Sequence, residues 1–540
     1  MAADIVLMAA AQGVRLFLTA GKLSFKALKG GLSAELRSLI AAHRDDIISY
    51  LQQQEGELPV ITKAAPQHEL PLSYAQQRLW LLSQIDGGSE HYTIPAALSL
   101  SGELDVMALE RAFDEVVARH ESLRTCFVAG EHEPVVQKIQ PHGSFAVRHI
   151  DISTEEAQQQ RIAQLSAQMQ AEPFDLSRDL MVRVWLVKQS ATAHVLLVLM
   201  HHIAADGWSL GVLMREFSVL YRGYSQHEQV ALEPLAVQYS DYACWQRQWF
   251  GSEVMERQLA YWEQQLAGLP QLHNLPLDFS RPAEQQFRGE HHRSYLTAED
   301  SGALQQLCHE QGATLFMGLH AAVSVLLSRW SNETDIVMGS PVANREQSEI
   351  GGLIGFFVNT VVLRSEVAAH HSFRQQLQQS KQRLLGAYSH QQVPFEQVVE
   401  RLRPQRSLSY SPLYQVMLSF GDMTESLPSL PGLQVATQTD HYRVAKTDLS
   451  VHISQGPQGL VVDWLYNTGL WRESSIRRMA AGFSVLLGAL VRRPDEEVLR
   501  LPVLDDAALA LLRQWNQTAQ PYPQQQSVPG LVFACARQQP

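Results

Sequence analysis

The sequence is poor in cysteine and has no hydrophobic run of membrane-spanning length. Its four cysteines, Cys126, Cys244, Cys308 and Cys535, never stand in a Cys-x-x-Cys pair. A disulfide framework or a structural zinc site is therefore disfavoured, and a reducing cytoplasm is the expected location. The strongly apolar run Val195–Met200 has only the length of a strand, so no membrane span is expected.

The sequence also lacks a block of basic residues. With 43 Lys and Arg residues against 55 Asp and Glu residues, the formal net charge is −12, which disfavours a nucleic-acid partner. The apolar stretch Ile5–Gly13 follows Asp4 and has no small-residue cleavage pattern, so it predicts a folded element and not a signal peptide. A length of 540 residues corresponds to about three to four domains, and 45% apolar residues exclude overall disorder.

Three common catalytic motifs are absent as well. The sequence has no His-Glu-x-x-His motif for zinc, no Gly-x-Ser-x-Gly elbow for a serine nucleophile and no Gly-x-x-x-x-Gly-Lys loop for phosphates. These absences exclude the corresponding metalloprotease, serine hydrolase and P-loop chemistries, and no metal site is predicted.

The two ends of the chain differ from its middle. Residues 1–55 read as helix, hairpin and helix, with hairpin strands at Val14–Leu18 and Lys22–Ala27, and residues 56–67 read as a linker. At the other end, a helical pattern over Leu501–Gln514 precedes a Gln- and Pro-rich stretch and a second helical start. We therefore expect the chain to be a piece of a longer polypeptide.

The middle of the chain alternates between helical and strand patterns. Apolar spacing predicts helices over Val106–Arg119, Leu210–Tyr224 and Thr314–Trp330, and strands over His194–Met200 and Ile336–Met338. Mixed helices and strands of this kind indicate α/β or α+β layers.

The most informative string is His201–Ser209, with the sequence HHIAADGWS, which directly follows an apolar strand. A buried strand that delivers an imidazole into a loop is a frequent catalytic arrangement, and histidine can take up a proton near neutral pH. Asp206 could orient the ring or brace the loop, and Gly207 would permit the turn. An isolated His-His pair is more often structural, but the complete string after a strand favours a catalytic loop.

This string resembles the His-His-x-x-x-Asp-Gly signature of condensation domains from nonribosomal peptide synthetases. Further motifs of that family occur in the same order along the chain; they are Ser73–Trp80, Arg119–Phe127, Tyr239–Trp245, Ile354–Thr360, His390–Glu396 and Arg406–Leu413. The motif around His390 departs from the family pattern at Gln392, where aspartate is common. Together the matches cover about residues 70–500.

The N-terminal unit resembles the small α-β-β-α docking domains that begin some of these synthetases. The resemblance rests on Gln12–Leu16, Lys22–Lys29 and Leu32–Arg37. It implies that an exposed hairpin edge takes up an extended acidic tail of an upstream subunit by strand addition. The basic candidates for this docking surface are Arg15, Lys22, Lys26 and Lys29. The alternative is that these lysines only protect an edge strand from aggregation.

For the rest of the chain the resemblance implies two chloramphenicol-acetyltransferase-like lobes that form a V-shaped pseudo-dimer with a tunnel between them. The N-lobe is expected over residues 68–245 and the C-lobe over residues 246–500. Residues 501–540 are expected to be a linker and the start of an adenylation domain in cis.

The implied reaction is amide formation between two carrier-bound thioesters. An upstream carrier protein delivers the donor and a downstream carrier protein delivers the acceptor amine, each on a 4'-phosphopantetheine arm, and no other cofactor is implied. The string Gly87–Tyr92 is similar to members that accept a donor with a D-configured residue.

The resemblance also assigns residues to roles. The implied catalytic residues are His202, Asp206 and Gly207, with His202 accepting the proton of the amine. In the family the aspartate points away from catalysis and pairs with an arginine of the other lobe, for which Arg345 is the candidate. Support of the site is implied for His201, Arg78, Arg124 and Arg345, and a place in the tunnel for Trp208, Ser209 and Asn359.

Three alternatives remain open at this point. An epimerization domain has the same fold and histidine string, although the Asp-Gly-Trp-Ser ending and Val358–Thr360 favour condensation. A free-standing CoA-dependent acyltransferase shares His-x-x-x-Asp-Gly, but its plant-type Asp-Phe-Gly-Trp-Gly motif is absent. An inactive platform that only recruits carriers or tailoring enzymes is disfavoured by the intact His202 and Asp206.

Overall fold

A computed structural model provides the coordinates of the chain. The residues it describes are 5–6, 9, 14–19, 22–27, 37, 40–48, 60–65, 69–84, 91–132, 134–250, 253–421, 428–438, 444–520 and 526–539. The predicted docking residue Lys29, most of Gly87–Tyr92 and the side chains of Arg15 and Lys26 lie outside this description.

The strands are numbered in chain order. They are β1 (Val14–Thr19), β2 (Lys22–Ala27), β3 (Thr93–Gly102), β4 (Thr125–Val128), β5 (Val136–Ile139), β6 (Arg148–Asp151), β7 (Val182–Lys188), β8 (Ala193–His201), β9 (Gly289–Tyr295), β10 (Asp335–Val342), β11 (Asn359–Glu366), β12 (Val416–Phe420), β13 (Leu433–Thr437), β14 (Leu449–Gly456) and β15 (Gly459–Asn467).

The helices that follow the N-terminal unit are numbered in the same way. They are α1 (Tyr74–Ser83), α2 (Val106–Arg119), α3 (Gln158–Ala171), α4 (Gly207–Ser225), α5 (Tyr239–Trp249), α6 (Glu253–Gln265), α7 (Ala298–Glu310), α8 (Leu315–Ser331), α9 (Phe373–Ser389), α10 (Phe395–Leu402), α11 (Glu473–Arg492), α12 (Asp506–Trp515) and α13 (Val528–Gln538).

The N-terminal unit contains the predicted hairpin. Strands β1 and β2 pair antiparallel with Leu16 opposite Phe25, and helical residues lie before and after them. Leu16 is buried, as are Ile5 and Ile47 from the flanking helical segments. The described residues therefore show the predicted order of helix, hairpin and helix.

The first half of the chain is built on a five-stranded sheet with the order β13-β3-β8-β7-β6. Strand β8 lies at its centre, and its side chains are buried on both faces of the sheet. Leu196 and Val198 belong to the same core as α2 and α4, whereas Leu197 and Leu199 pack in the core that contains α3. Burial on both faces explains why this strand reads as an uninterrupted apolar run.

The second half is built on a six-stranded sheet with the order β11-β10-β12-β14-β15-β9. Strand β12 runs parallel to both of its neighbours, and the other pairings are antiparallel. The apolar faces of α8 and α11 contribute to one large core with this sheet.

One strand of the second half belongs to the sheet of the first half. Although β13 comes from the second half of the chain, it pairs antiparallel with β3 at the edge of the first sheet, with Val435 opposite Leu100. The sheet of the first half is therefore completed by a strand of the second half.

Several predicted boundaries shift in the structure. The helix predicted from Leu210 already begins at Gly207, because Asp206 caps its N-terminus. The strand predicted over Ile336–Met338 extends over the whole of β10, and the helix predicted from Leu501 begins at Asp506. The helix predicted over Val106–Arg119 has the predicted bounds.

Helix α11 is long and apolar enough to cross a membrane by length and composition, and the α7–α8 pair, bent by 111°, passes the same test as a pair. Within the structure, 61% of the apolar window of α11 is buried. Its apolar character is that of a core helix.

A buried histidine in α8 predicts acid sensitivity. His320 is fully buried, its Nδ1 lies 2.7 Å from Ser380 Oγ, and burial lowers its pKa to about 4. As the pH falls, the imidazole of His320 becomes protonated in the unfolded chain near pH 6.5 but in the folded chain only near pH 4. The folded state is therefore destabilised relative to the unfolded state as the pH falls from 6.5 towards 4. We expect this difference in protonation to lower the free energy of unfolding by about 3 kcal/mol over that range.

The variant His320→Gln measures this contribution. Urea unfolding of the variant should show a flatter dependence on pH between 6.5 and 4 than the unmodified chain. Curves that run parallel for the two proteins would contradict the assignment.

Candidate active site

His202 is the first residue after the central strand β8. Its backbone N–H donates to the carbonyl oxygen of Tyr92 at 2.8 Å, which fixes the start of the loop next to β3. The side chain is partly exposed, and the ring of Phe356 lies 5.8 Å away between centroids. The imidazole is therefore held at the end of the sheet without being sealed in the core.

His201 faces the opposite way. It is buried, its Nδ1 accepts the N–H of Ile203 at 3.1 Å, and its ring lies edge-on to Phe174. The His201 ring thus packs in the core and braces the loop, and its supporting role in catalysis stays a prediction.

The surroundings of His202 favour its neutral form. Burial lowers the pKa of His202 well below its ordinary value, and the positive charge of Lys446 and the neighbouring His201 lower it further. The backbone at Ala205 has a weaker, opposing effect. Within the described residues, the buried Nδ1 of His202 has no hydrogen-bond partner. A neutral imidazole is the form that can accept a proton.

Asp206 forms the N-cap of α4. Its carboxylate accepts the N–H of Ser209 at 2.9 Å and the hydroxyl of Ser209 at 2.7 Å, while Ser209 Oγ accepts the N–H of Asp206. This reciprocal capping satisfies N–H groups of the first turn that would otherwise lack partners. The cap fixes the path of the loop between His202 and the helix.

The pair expected between Asp206 and Arg345 is present. Arg345 Nη2 lies 3.0 Å from Asp206 Oδ1, and both side chains are about 2% exposed. The other carboxylate oxygen accepts the N–H groups of Phe357 and Val358. These contacts fasten the two halves of the chain, and the assignment of Asp206 as a catalytic residue stays a prediction.

Residues 345–358 belong to the second half of the chain and lie against the first half. This segment is called the seam. The seam carbonyl oxygens accept hydrogen bonds from side chains of the first half: Trp208 to Gly351 at 3.0 Å, Ser122 to Ile354 at 2.7 Å, Ser209 to Gly355 at 2.9 Å and Tyr239 to Phe356 at 2.7 Å. In addition, His120 Nδ1 accepts the N–H of Ile354. The seam thus places Phe356 beside His202.

Trp208 and Ser209 were predicted to line a tunnel. Ser209 is buried in the cap of α4, and the indole N–H of Trp208 is bonded to the seam. Both residues therefore contribute to the contact between the halves, and their place in a tunnel stays a prediction.

Gly207 occupies the first turn of α4 and is exposed. Its backbone is not in the left-handed region, and a Cβ added there would meet no atom within 4 Å. The turn itself does not require glycine, contrary to the expectation from the sequence.

Asn359 was also expected to line the tunnel, but its side chain is occupied elsewhere. Its amide donates to the carbonyl oxygens of Gln391 and Val393 and accepts the N–H of Phe395 at 3.0 Å. Asn359 begins β11 and does not follow a strand, and it holds the segment that leads into α10.

The two predicted supporting arginines differ. Arg78 in α1 donates to Glu396 in α10 at 3.3 Å and so links the halves. Arg124 donates to the carbonyl oxygen of Gln140 and lies 3.7 Å from Glu121. These contacts of Arg124 are local, and its supporting role stays a prediction.

Sequence reasoning missed Lys446 and the contact of the Tyr92 backbone with His202. The backbone of Tyr92 fixes His202, and Lys446 Nζ lies 5.4 Å from the Tyr92 ring centroid. No spacing rule could link them, because Lys446 comes from the other half of the chain. Among the described residues, no group of three or more His, Cys, Asp or Glu side chains could hold a metal ion.

Comparison with known proteins agrees with this architecture. The family model of the Condensation domain matches residues 66–512, and that of the TubC N-terminal docking domain matches residues 3–53. The X-domain in the complex of the X-domain and OxyB from teicoplanin biosynthesis superimposes with a TM-score of 0.76 at 28% identity, over 83% of this chain and 99% of that chain. The expected V-shaped pseudo-dimer of chloramphenicol-acetyltransferase-like lobes is confirmed.

Curated relatives extend well beyond this chain. One of the linear gramicidin synthase proteins of Brevibacillus parabrevis is 38% identical over 513 residues, which are 93% of this chain and 10% of that relative. Another protein of the same synthase is 40% identical over 495 residues, 90% of this chain and 10% of that relative. The chain spans about a tenth of the length of these relatives. It belongs to the condensation-domain family of nonribosomal peptide synthetases, whose members form peptide bonds, and carries a TubC-type docking domain at its N-terminus.

Proposed function

We propose that the chain condenses a carrier-bound acyl or peptidyl thioester with a carrier-bound aminoacyl thioester. The observation that carries this proposal is the neutral, partly exposed imidazole of His202 at the end of β8, beside the seam between the lobes. The acceptor amine attacks the donor carbonyl carbon and forms the C–N bond. His202 accepts the proton that the nitrogen loses, and the thiolate leaves as the C–S bond breaks.

The reaction does not require a strong base. An α-amine has a pKa of about 7.7–8.0, so part of it is neutral near pH 7. Bringing two tethered reactants together contributes most, because effective molarities reach about 10⁵–10⁸ M. A positioned base adds about 10²–10⁴-fold. The lobes thus serve mainly to align two phosphopantetheine arms, and His202 removes the proton.

Partners follow from the reaction. A donor carrier protein and an acceptor carrier protein bring the substrates through a passage between the lobes, in the cytoplasm. An adenylation domain in cis would cover helices α12 and α13, whose large apolar side chains Trp515, Val528 and Phe533 are more than 60% exposed. Such exposure is typical of a surface that packs against another domain.

The N-terminal unit would dock an upstream subunit. Lys22 and Phe25 of strand β2 are exposed, with Phe25 at 52%, so this strand offers an apolar contact beside a positive charge. An acidic tail of the upstream subunit can add to such an edge as a further strand.

Charge reversal at Lys22 tests this docking. We expect Lys22→Glu to weaken binding of a fluorescently labelled acidic-tail peptide about two- to fivefold, as expected for an exposed ion pair. Binding to the unmodified chain should also weaken as salt screens the charges. The control Lys138→Glu reverses an exposed lysine on β5 and should bind normally. Binding that depends on neither charge nor salt would contradict docking by this edge.

The donor is proposed to carry a D-configured residue next to the thioester. The basis is the string that ends in His91 and Tyr92, and Tyr92 lies directly against the His202 loop. Paired assays with D- and L-configured donors on the same carrier decide this point, and faster turnover of the L donor would refute it.

The experiment that tests the reaction is reconstitution of the full chain with loaded donor and acceptor carriers, followed by mass spectrometry of the acceptor arm. A mass increase equal to the donor acyl group is expected. A racemised acyl group on a single carrier would instead indicate an epimerization domain.

A second candidate is a recruitment platform. It is favoured by the likeness to the X-domain, which is found in complex with OxyB. A platform would bind carriers or a partner enzyme but form no amide in the same reconstitution. His202 in its neutral form favours the condensation proposal over this one.

A further inference from the structure

The ring of Phe356 is part of the immediate surroundings of His202. The two ring centroids are 5.8 Å apart and both side chains are partly exposed, so the phenyl ring limits the space beside the imidazole. The direction in which this ring points depends on how the main chain of the seam is held at Phe356.

The peptide group between Phe356 and Phe357 is held at both of its polar atoms. Its carbonyl oxygen accepts the hydroxyl of Tyr239 in α5 at 2.7 Å, and its N–H donates to Asp206 Oδ2 at 3.0 Å. Asp206 follows His202 by four residues, so its bond ties the peptide group to the loop that carries the imidazole. Together the two bonds fix the plane of the peptide group, and with it the direction in which the Phe356 side chain leaves the main chain.

The hydroxyl of Tyr239 is itself oriented by a further hydrogen bond. It lies 2.8 Å from Ser73 Oγ, and Ser73 Oγ accepts the N–H of Gln76 at 3.1 Å in the N-cap of α1. Because a carbonyl oxygen only accepts, the phenol donates its hydrogen to Phe356 and therefore accepts the hydrogen of Ser73. Burial raises the pKa of the Tyr239 phenol well above its ordinary value, so this donor keeps its hydrogen. Hydrogen bonds in such a buried chain strengthen one another.

The aromatic ring of Tyr239 is fixed independently of its hydroxyl. It lies edge-on to Phe357 with 5.0 Å between the ring centroids, and a Cβ added at Gly355 would lie 2.2 Å from it. The hydroxyl therefore acts from a fixed origin in the first half, and its removal leaves the packing of the ring in place.

We propose that Tyr239 is a positioning residue: its hydroxyl fixes the peptide group after Phe356 and so holds the Phe356 ring beside the space in which the acceptor amine meets His202. The importance of this placement for the reaction rests on the proposed function of His202, whereas the placement of the ring does not.

The variant Tyr239→Phe tests the proposal, since it removes the hydroxyl and keeps the ring. In NMR spectra of the histidine-labelled full chain, with the His202 signal assigned through His202→Gln, that signal should shift because the neighbouring phenyl ring moves. With both carriers saturating, the single-turnover condensation rate should fall about two- to tenfold, the size expected for the loss of one hydrogen bond. The affinity for both carriers should stay the same.

Two controls show whether the effect passes through Phe356. Tyr221→Phe removes the hydroxyl of another buried tyrosine, which accepts the N–H of Asp105 at 3.1 Å, and should leave the His202 signal and the rate unchanged. In a Phe356→Leu background, Tyr239→Phe should cause no further loss of rate, because the ring that it positions is absent.

If Tyr239→Phe does not fold, Ser73→Ala breaks the same chain at the preceding hydrogen bond and is measured in the same way. An unmoved His202 signal in the folded variant, or rate losses that simply add in the Phe356→Leu background, would overturn the proposal. A moved signal together with full activity of His202→Ala would support the placement of the ring and remove only the proposed base, so the two proposals fail separately.

Discussion

Replacing His202 by alanine is expected to slow amide formation about 10²–10⁴-fold while leaving the fold and carrier binding intact. The side chain is partly exposed and its Nδ1 has no hydrogen-bond partner among the described residues, so its removal disturbs little of the surrounding structure. The loss should appear in single-turnover rates with both carriers saturating, because alignment of the two arms is preserved.

His309→Ala is the matched control. It removes an exposed imidazole at the end of α7, away from the loop that carries His202, and should react at the unmodified rate. Full activity of His202→Ala would eliminate His202 as the base. A loss of carrier binding of the same size would instead assign it to substrate positioning.

Replacing Asp206 by alanine is expected to lower the free energy of unfolding by about 3–5 kcal/mol, because the guanidinium of Arg345 would be left buried without its partner charge. The same change removes the cap of α4 and the acceptor of two seam N–H groups. Poor yield and early urea unfolding should therefore precede any catalytic defect. A folded, equally stable but inactive variant would show that Asp206 takes part in the reaction.

Two further variants separate the loss of the Asp206–Arg345 ion pair from the loss of the helix cap. Asp105→Ala removes the N-cap carboxylate of α2 without a buried arginine and should cost only about 1 kcal/mol. In a double-mutant cycle, Asp206→Ala with Arg345→Met should cost clearly less than the sum of the single changes, since no charge is then stranded. Additive costs would mean that the two side chains do not depend on each other.

Periodicity predicted most of the local structure. Strand β8 was recognisable because both of its faces are buried, and α2 because one face is apolar and Asp105 caps its start. The start of α4 was missed by three residues. Asp206 and Ser209 have the spacing of an N-cap and its reciprocal partner, but the string was interpreted only as a source of catalytic groups.

Contacts between segments far apart in the sequence could not be predicted from hydrophobic periodicity. The motif Ile354–Thr360 was identified by resemblance, but only the structure gives a reason for Gly355: a Cβ there would lie 2.2 Å from the ring of Tyr239. Asn359 could not be assigned from sequence, because its partners depend on how β11 and α10 meet. The approach of Lys446 to Tyr92 is set by the packing of the two halves, about which local patterns carry no information.

The strand β13 has a consequence for recombining such proteins. A chimaera that joins the first half of this chain to the second half of a relative would insert a foreign edge strand beside β3, where Leu433 lies opposite Gly102. A Cβ at Gly102 would come within 2.1 Å of the Gly432 carbonyl oxygen, so the guest must also keep a chain path that fits this glycine. In a compatible hybrid, β3 and β13 should therefore come from the same parent protein.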